Sequence, residues 1–185
     1  MSLLPLGLLS QGSGGGAAGA FELIQTANGT GSSGIIDFTS IPATYKHLQI
    51  RYTAKNTSTS ADLNITFNNV TSSSYARHHM VGNSVSTAAA SATSAANISL
   101  IDGVAPSTTA NVTTNGVIDI LDYSESTKNK TLRAMYGLIQ AYSTSRIYVA
   151  SGVLESTTVV SRVTLTASGN NFSTASRFSL YGIKG

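Results

Sequence analysis

Hydrophobic and polar residues alternate with a period of two through much of this chain. The clearest case is Tyr45–Ala54, with Leu48, Ile50, Tyr52 and Ala54 on one face and His47, Gln49, Arg51 and Thr53 on the other. That pattern predicts a strand with one side in a core and one side polar. Leu63, Ile65 and Phe67 repeat it after an N-T-S-T-S loop, and Asn68-Asn69 closes the strand. Val159–Ala167 places Val159, Ser161, Val163, Leu165 and Ala167 on one face. Arg177–Ile183 sets Phe178, Leu180 and Gly182 against Ser179, Tyr181 and Ile183. Shorter strands are expected at Phe21–Thr26, before the turn pair Asn28-Gly29, at Ile35–Phe38, within Ser72–Val81, at Ile98–Ile101 and at Arg146–Ala150.

The centre of the pattern is Val117–Met135. Val117–Tyr123 carries apolar residues on both parities, which predicts a central strand buried on both faces. Ser124–Lys130 reads as a polar hairpin loop holding Glu125, Lys128 and Lys130, and Thr131–Ile139 resumes the β pattern. Three stretches read as loops: Gly82–Ala96, where alanine is offset by Ser and Thr and no apolar face recurs; Asp102–Thr109 around Pro106; and Ser151–Thr157 around Gly152. The sum is an all-β chain, a single antiparallel β-sandwich, jelly-roll-like, of about ten strands. Galectin-like and carbohydrate-binding-module-like sandwiches would give the same signal.

Composition adds a segment and removes several functions. Residues 1–20 stand apart, with Leu3, Leu4, Leu6, Leu8 and Leu9 followed by a run rich in glycine. The apolar run is broken by Pro5 and Gly7, and no Lys or Arg precedes it, so a cleaved signal is not expected. Residues 1–20 therefore read as a docking arm on a sandwich domain spanning 21–185. The five leucines would lie in a groove of another subunit, with Gly12–Gly16 as the leash; the alternative is that the arm folds back on its own domain. Of the 185 residues only 10% are charged, against about 25% in an average chain, while 28 Ser and 23 Thr supply the polar surface. Weak charge lowers the barrier between copies and favours self-association.

The formal charge of +3 comes without a Lys/Arg cluster or basic tail, so no nucleic-acid partner is expected. No apolar run approaches the roughly 20 residues of a spanning helix, so no membrane insertion is expected. With no Cys there is no thiolate site. His78 and His79, adjacent in a strand, face opposite ways, so no metal and no cofactor is expected. Asp119 and Asp122, three apart on a strand, do not form a glycosidase pair; they would instead hold loop amides or pair with Arg133. No enzymatic activity is expected. Eight Asn-x-Ser/Thr triplets occur, as chance supplies in a chain so rich in these residues. Tyr45, Tyr75, Tyr142 and Tyr148 near loop junctions are candidates for stacking on a host-surface glycan. The candidate surface contacts are Glu125, Lys128, Lys130, Tyr142 and Tyr148.

Several blocks resemble a known family. I-P-A-T-Y-K-H-L-Q-I-R at 41–51, S-Y-A-R-H at 74–78, G-V-I-D-I-L-D-Y at 116–123, K-N-K-T-L-R-A at 128–134 and F-S-L-Y-G-I at 178–183 are similar to small β-rich virion structural, tail-type proteins of tailed bacteriophages infecting aquatic bacteria. The resemblance implies a non-catalytic virion component, assembled in the host cytoplasm, in contact with other virion proteins and copies of itself. Within it Ile41, Tyr45, Leu48, Ile118, Ile120, Leu180 and Tyr181 read as core and turn residues. The expected role is in the tail, at an adaptor, baseplate or fibre, anchored by the arm. The alternatives are a capsid decoration protein clamping capsid subunits and a glycan-binding module. A trimer would suit the tail role or the capsid role.

Overall fold

A computed structural model describes residues 19–59, 61–83, 85–138 and 145–185. Twelve strands are found among them, and every named pair is antiparallel. They are β1 (Phe21–Asn28), β2 (Ile35–Phe38), β3 (His47–Ala54), β4 (Ala61–Phe67), β5 (Tyr75–Asn83), β6 (Thr87–Ala95), β7 (Ile98–Val104), β8 (Thr114–Leu121), β9 (Lys130–Leu138), β10 (Arg146–Leu154), β11 (Val163–Ala167) and β12 (Arg177–Ile183). One sheet has eight strands in the order β1-β12-β3-β8-β9-β10-β5-β6, and the other has four in the order β2-β11-β4-β7. The all-β antiparallel sandwich is as expected; the strand number is twelve rather than about ten.

Period two explains the core. Leu48, Ile50, Tyr52 and Ala54 of β3 are all buried, as are Leu63, Ile65 and Phe67 of β4 and Phe178 and Leu180 of β12. Burial of a side chain such as these contributes about 1.5–3 kcal/mol each. Across the inner face of the large sheet, Tyr52, Gly116, Tyr136 and Tyr148 form one cross-strand row. Tyr136 and Tyr148 stack with ring centroids 4.8 Å apart, and Tyr52 stacks on Phe178 at 5.7 Å. A Cβ on Gly116 would lie 2.6 Å from the Tyr136 Cβ and 2.7 Å from the Tyr52 ring, so the glycine makes room for both tyrosines.

Five expectations are corrected. Gly82–Ala96 is not a loop: Thr87–Ala95 is β6, held by its ladder to β5 although none of its nine residues is buried. With no core to face, alternation is not required, and pairing alone makes the strand. Ser151–Leu154 continues β10, because Gly152 lets Ile98 of β7 approach; a Cβ there would sit 2.7 Å from the Ile98 side chain. Asp102–Val104 likewise continues β7, and Val159–Arg162 lies outside β11. Finally, β8 is central in the sheet but buried on one face only. Ile118 and Ile120 are fully buried, whereas Val117, Asp119 and Leu121 point to the other side and are only half-buried.

Candidate interaction face

The side of the eight-stranded sheet turned away from the sandwich core is covered by no described residue. Directly paired residues share a face in an antiparallel sheet, so the registers define rows across it. One row runs Ala89, Met80, Val149, Met135, Val117, Arg51, Ser179, Thr26, from β6 to β1. Its middle is apolar and open to solvent: Met80 is 62%, Met135 60% and Val149 55% exposed, with Ile147 beside them at 57%. Nothing in the sandwich requires these residues to be apolar.

The next row is polar and internally satisfied. Arg133 Nε donates to Asp119 Oδ2 at 3.0 Å, Gln49 Nε2 donates to Asp119 Oδ1 at 2.8 Å, and Arg51 Nε donates to Gln49 Oε1 at 2.8 Å. The Arg51 guanidinium lies over the rings of Tyr181 (4.9 Å) and Phe21 (5.1 Å), a double cation–π contact. The expected Asp119–Arg133 pair is thus present, on this face. Two shallow grooves flank the apolar row. One, of about 480 Å³, is lined by His78, Met80, Ala89, Ser91, Arg133 and Val149 among others; a second, of about 440 Å³, includes Arg51, Val117, Met135 and Ser179.

The loop candidates behave differently. Glu125 and Lys128 are accessible, but their charges are engaged: Lys46 Nζ lies 3.2 Å from Glu125 and 3.5 Å from Asp122, and Lys128 Nζ lies 3.0 Å from Asp122. The hydrogen bond from Lys128 comes first among the reasons why the Asp122 carboxyl is held below its ordinary range. The Asp122 amide donates to His47 Nδ1 at 3.0 Å, which fixes the turn at a residue with φ of 48°. Lys130 is not a surface contact. It is fully buried, and its ammonium donates to the carbonyl oxygens of Asp122, Glu125 and Lys128. Burial lowers its pKa from the usual value. The side chain is a strut that closes the β8–β9 turn from inside.

Tyr148 is corrected in the same way. It is buried, stacked on Tyr136, and its hydroxyl donates to Asp102 Oδ2 at 2.7 Å; burial and that carboxylate push its pKa up to about 12. A tyrosine so placed offers no ring to a glycan. Tyr75 is buried as well, with its hydroxyl between the Phe67 amide and the Val70 carbonyl. Leu3, Leu4, Leu6, Leu8, Leu9 and Tyr142 lie outside the described residues. Of the positions read as core or turn, Ile41, Leu48, Ile118, Ile120 and Leu180 are buried, while Tyr45 and Tyr181 are half-buried and Tyr181 belongs to the exposed face. His78 and His79 occupy adjacent positions of β5; His78 is exposed and the His79 ring tilts against Tyr148 at 6.3 Å.

The residues that distinguish this face, Met80, Met135, Ile147 and Val149, were not among the candidates drawn from the sequence. A signal was present: Ile147-Tyr148-Val149-Ala150, like Val117–Tyr123, is apolar on both parities. In a two-sheet sandwich, the second parity faces solvent unless something else covers it. In comparisons with known proteins, no family model, no curated protein and no solved structure matches this chain.

Proposed function

We propose that this chain is a non-enzymatic structural component of a tailed-phage virion, present in several copies and seated in the tail at an adaptor, baseplate or fibre. The observation that carries the assembly part of this reading is the uncovered apolar row Met80–Val149–Met135–Val117. An open apolar strip on a rigid sheet, beside a ladder of satisfied polar groups, has the chemistry of a protein–protein interface. The low charge content of the chain and the leucine-rich residues 3–9 point the same way. The virion setting rests on the family resemblance of the blocks between 41 and 183. A capsid decoration role would use the same face and the same leucines.

The test is made on assembled particles. Deletion of residues 1–20 should leave a cooperatively folded domain that no longer enters particles, and a particle reconstruction should find the intact chain in the tail. Normal incorporation of the shortened chain would remove the arm from the account, and density on the capsid surface would move the protein to the decoration role.

A further inference from the structure

The outer strands of the two sheets are guarded unequally. β1, at one end of the large sheet, is bulged between Leu23 and Gln25 and carries Glu22, paired with Lys184 at 2.9 Å. In the small sheet β2 has only four residues, with Asp37 held by Arg162, and β7 carries Asp102 on an irregular ladder to β4. Short length, charge and bulges are the ordinary means of keeping a sheet edge from adding strands. β6, at the other end of the large sheet, has no charge, no Pro and no Gly, and its pairing with β5 is regular over six consecutive pairs, from Gly82–Thr87 to Arg77–Ala92. None of its residues is buried, so one ladder to β5 carries it. We infer that β6 pairs antiparallel with β6 of a second copy about a two-fold axis at Ala90, joining the two large sheets edge to edge; this names a contact for the multi-copy reading above and rests on it.

The phase of the hydrogen bonds selects the register. The Asn83 amide donates to the Ser86 carbonyl at 3.0 Å, closing the β5–β6 hairpin. Bonded and non-bonded pairs alternate from there, so Ala88, Ala90 and Ala92 direct their amides and carbonyls to β5. Thr87, Ala89 and Ser91 direct theirs to the free edge, and no described residue bonds to them. An axis at Ala90 sets Ala89 of each copy opposite Ser91 of the other, so the outward groups of the two strands meet. The same axis pairs Thr87 with Thr93, Ala88 with Ala92 and Ala90 with itself. The segment thus reads nearly alike in both directions about the residue that the hydrogen bonds choose as centre. That self-complementarity is what an isologous contact requires and what an unrelated strand lacks, which commits the edge to a second copy. No like charges oppose one another across the pair. Both copies then show their Met80–Val149–Met135 rows on the same side of one continuous sheet. The edge ladder and any contact made by that side reinforce each other, and loss of either weakens the assembly.

The absence of Cys lets single substitutions in the full-length chain report the register. Under mild oxidation Ala90→Cys should link to itself between copies, because opposed Cα atoms about 4.5 Å apart in a non-bonded pair suit a disulfide. Ala88→Cys should link to Ala92→Cys in a mixture of the two chains and not to itself. Gln25→Cys, on the β1 edge, is the comparison, and 90–90 links should exceed 25–25 links at least tenfold. Ala89→Pro removes an outward amide and leaves the ladder to β5 intact; Ala89→Lys places a charge on the same edge without touching the backbone. Each should weaken association at least tenfold in sedimentation while the chain still melts cooperatively. Equal linkage at position 25, self-linkage of 88 that matches 88–92, or unchanged association in Ala89→Lys would overturn the inference. So would 90–90 linkage that appears only after residues 1–20 are deleted, since the arm would then hold the edge. An oligomer without the 90–90 link defeats the edge contact alone; a monomer at every concentration defeats the multi-copy reading with it.

Discussion

The two solvent-facing sides of this sandwich are built from opposite chemistry. On the four-stranded sheet, the outward residues of β4 and β11 are Asn64, Thr66, Thr164 and Thr166, joined by Asp37 and a single exposed apolar residue, Ile35, of β2. Arg162 holds the Asp37 carboxylate through both Nε and an Nη nitrogen, and Thr164 donates a third hydrogen bond. This is what a surface kept in water should look like. On the eight-stranded sheet, the outward residues of the same kind of antiparallel ladder are Met80, Val149, Met135 and Val117. The central strands of both sheets bury their inner faces, so the core does not account for the difference. The apolar side is therefore where contact with another surface is to be sought.

The largest effects should come from inside, and they set the scale for the rest. Leu132→Ala on the inner side of β9 should cost about 3 kcal/mol in urea unfolding, while Met135→Ala, three residues on and facing outward, should change stability by less than about 0.5 kcal/mol. Equal losses would show that the outer row is part of the core after all. Lys130→Met should follow, at about 2 kcal/mol, because the carbonyls of Asp122, Glu125 and Lys128 lose their buried donor. No loss would mean that water replaces the ammonium.

The polar side should reveal itself by its response to acid. Asp37 has its carboxyl held below its ordinary 3.8, first by the hydrogen bond from Arg162. The folded state thus binds fewer protons there than the unfolded state. This contribution is fully present above about pH 4 and is lost as pH falls through the lowered folded value. Asp37→Asn should accordingly flatten the acid limb of a stability–pH profile, and an unchanged limb would count against the pair. The smallest effect is expected at Tyr52→Phe. The buried hydroxyl has no hydrogen-bond partner among the described residues, so its removal should leave the melting temperature unchanged or slightly raised.

The same comparison explains what could be read from the residues. Strands β3, β4 and β12 were evident because one face of each meets the core and the other meets water, which writes a period of two into the sequence. β6 was hidden because none of its residues is buried, so Thr87–Ala95 carries no periodic signal. β10 was cut short because Gly152 has the form of a turn residue, although it serves close packing of Ile98. In β8, two apolar parities suggested burial on both sides, when one parity lies on the open face. Lys130 was assigned to the loop by its charge. Its place on the inward parity with Leu132, Ala134, Tyr136 and Leu138 was the signal that it lies inside.

The most direct test of the central claim, that the outer face of the eight-stranded sheet is an assembly surface, is sedimentation equilibrium of the full chain beside its Met135→Asp/Val149→Asp variant. Thr66→Asp/Thr166→Asp on the other sheet is the control, and thermal melting confirms that each is folded. The account predicts a concentration-dependent oligomer for the unmodified chain and the control, and a folded species with association weakened at least tenfold for the outer-face variant. Unchanged association in that variant, or equal weakening in the control, would contradict it.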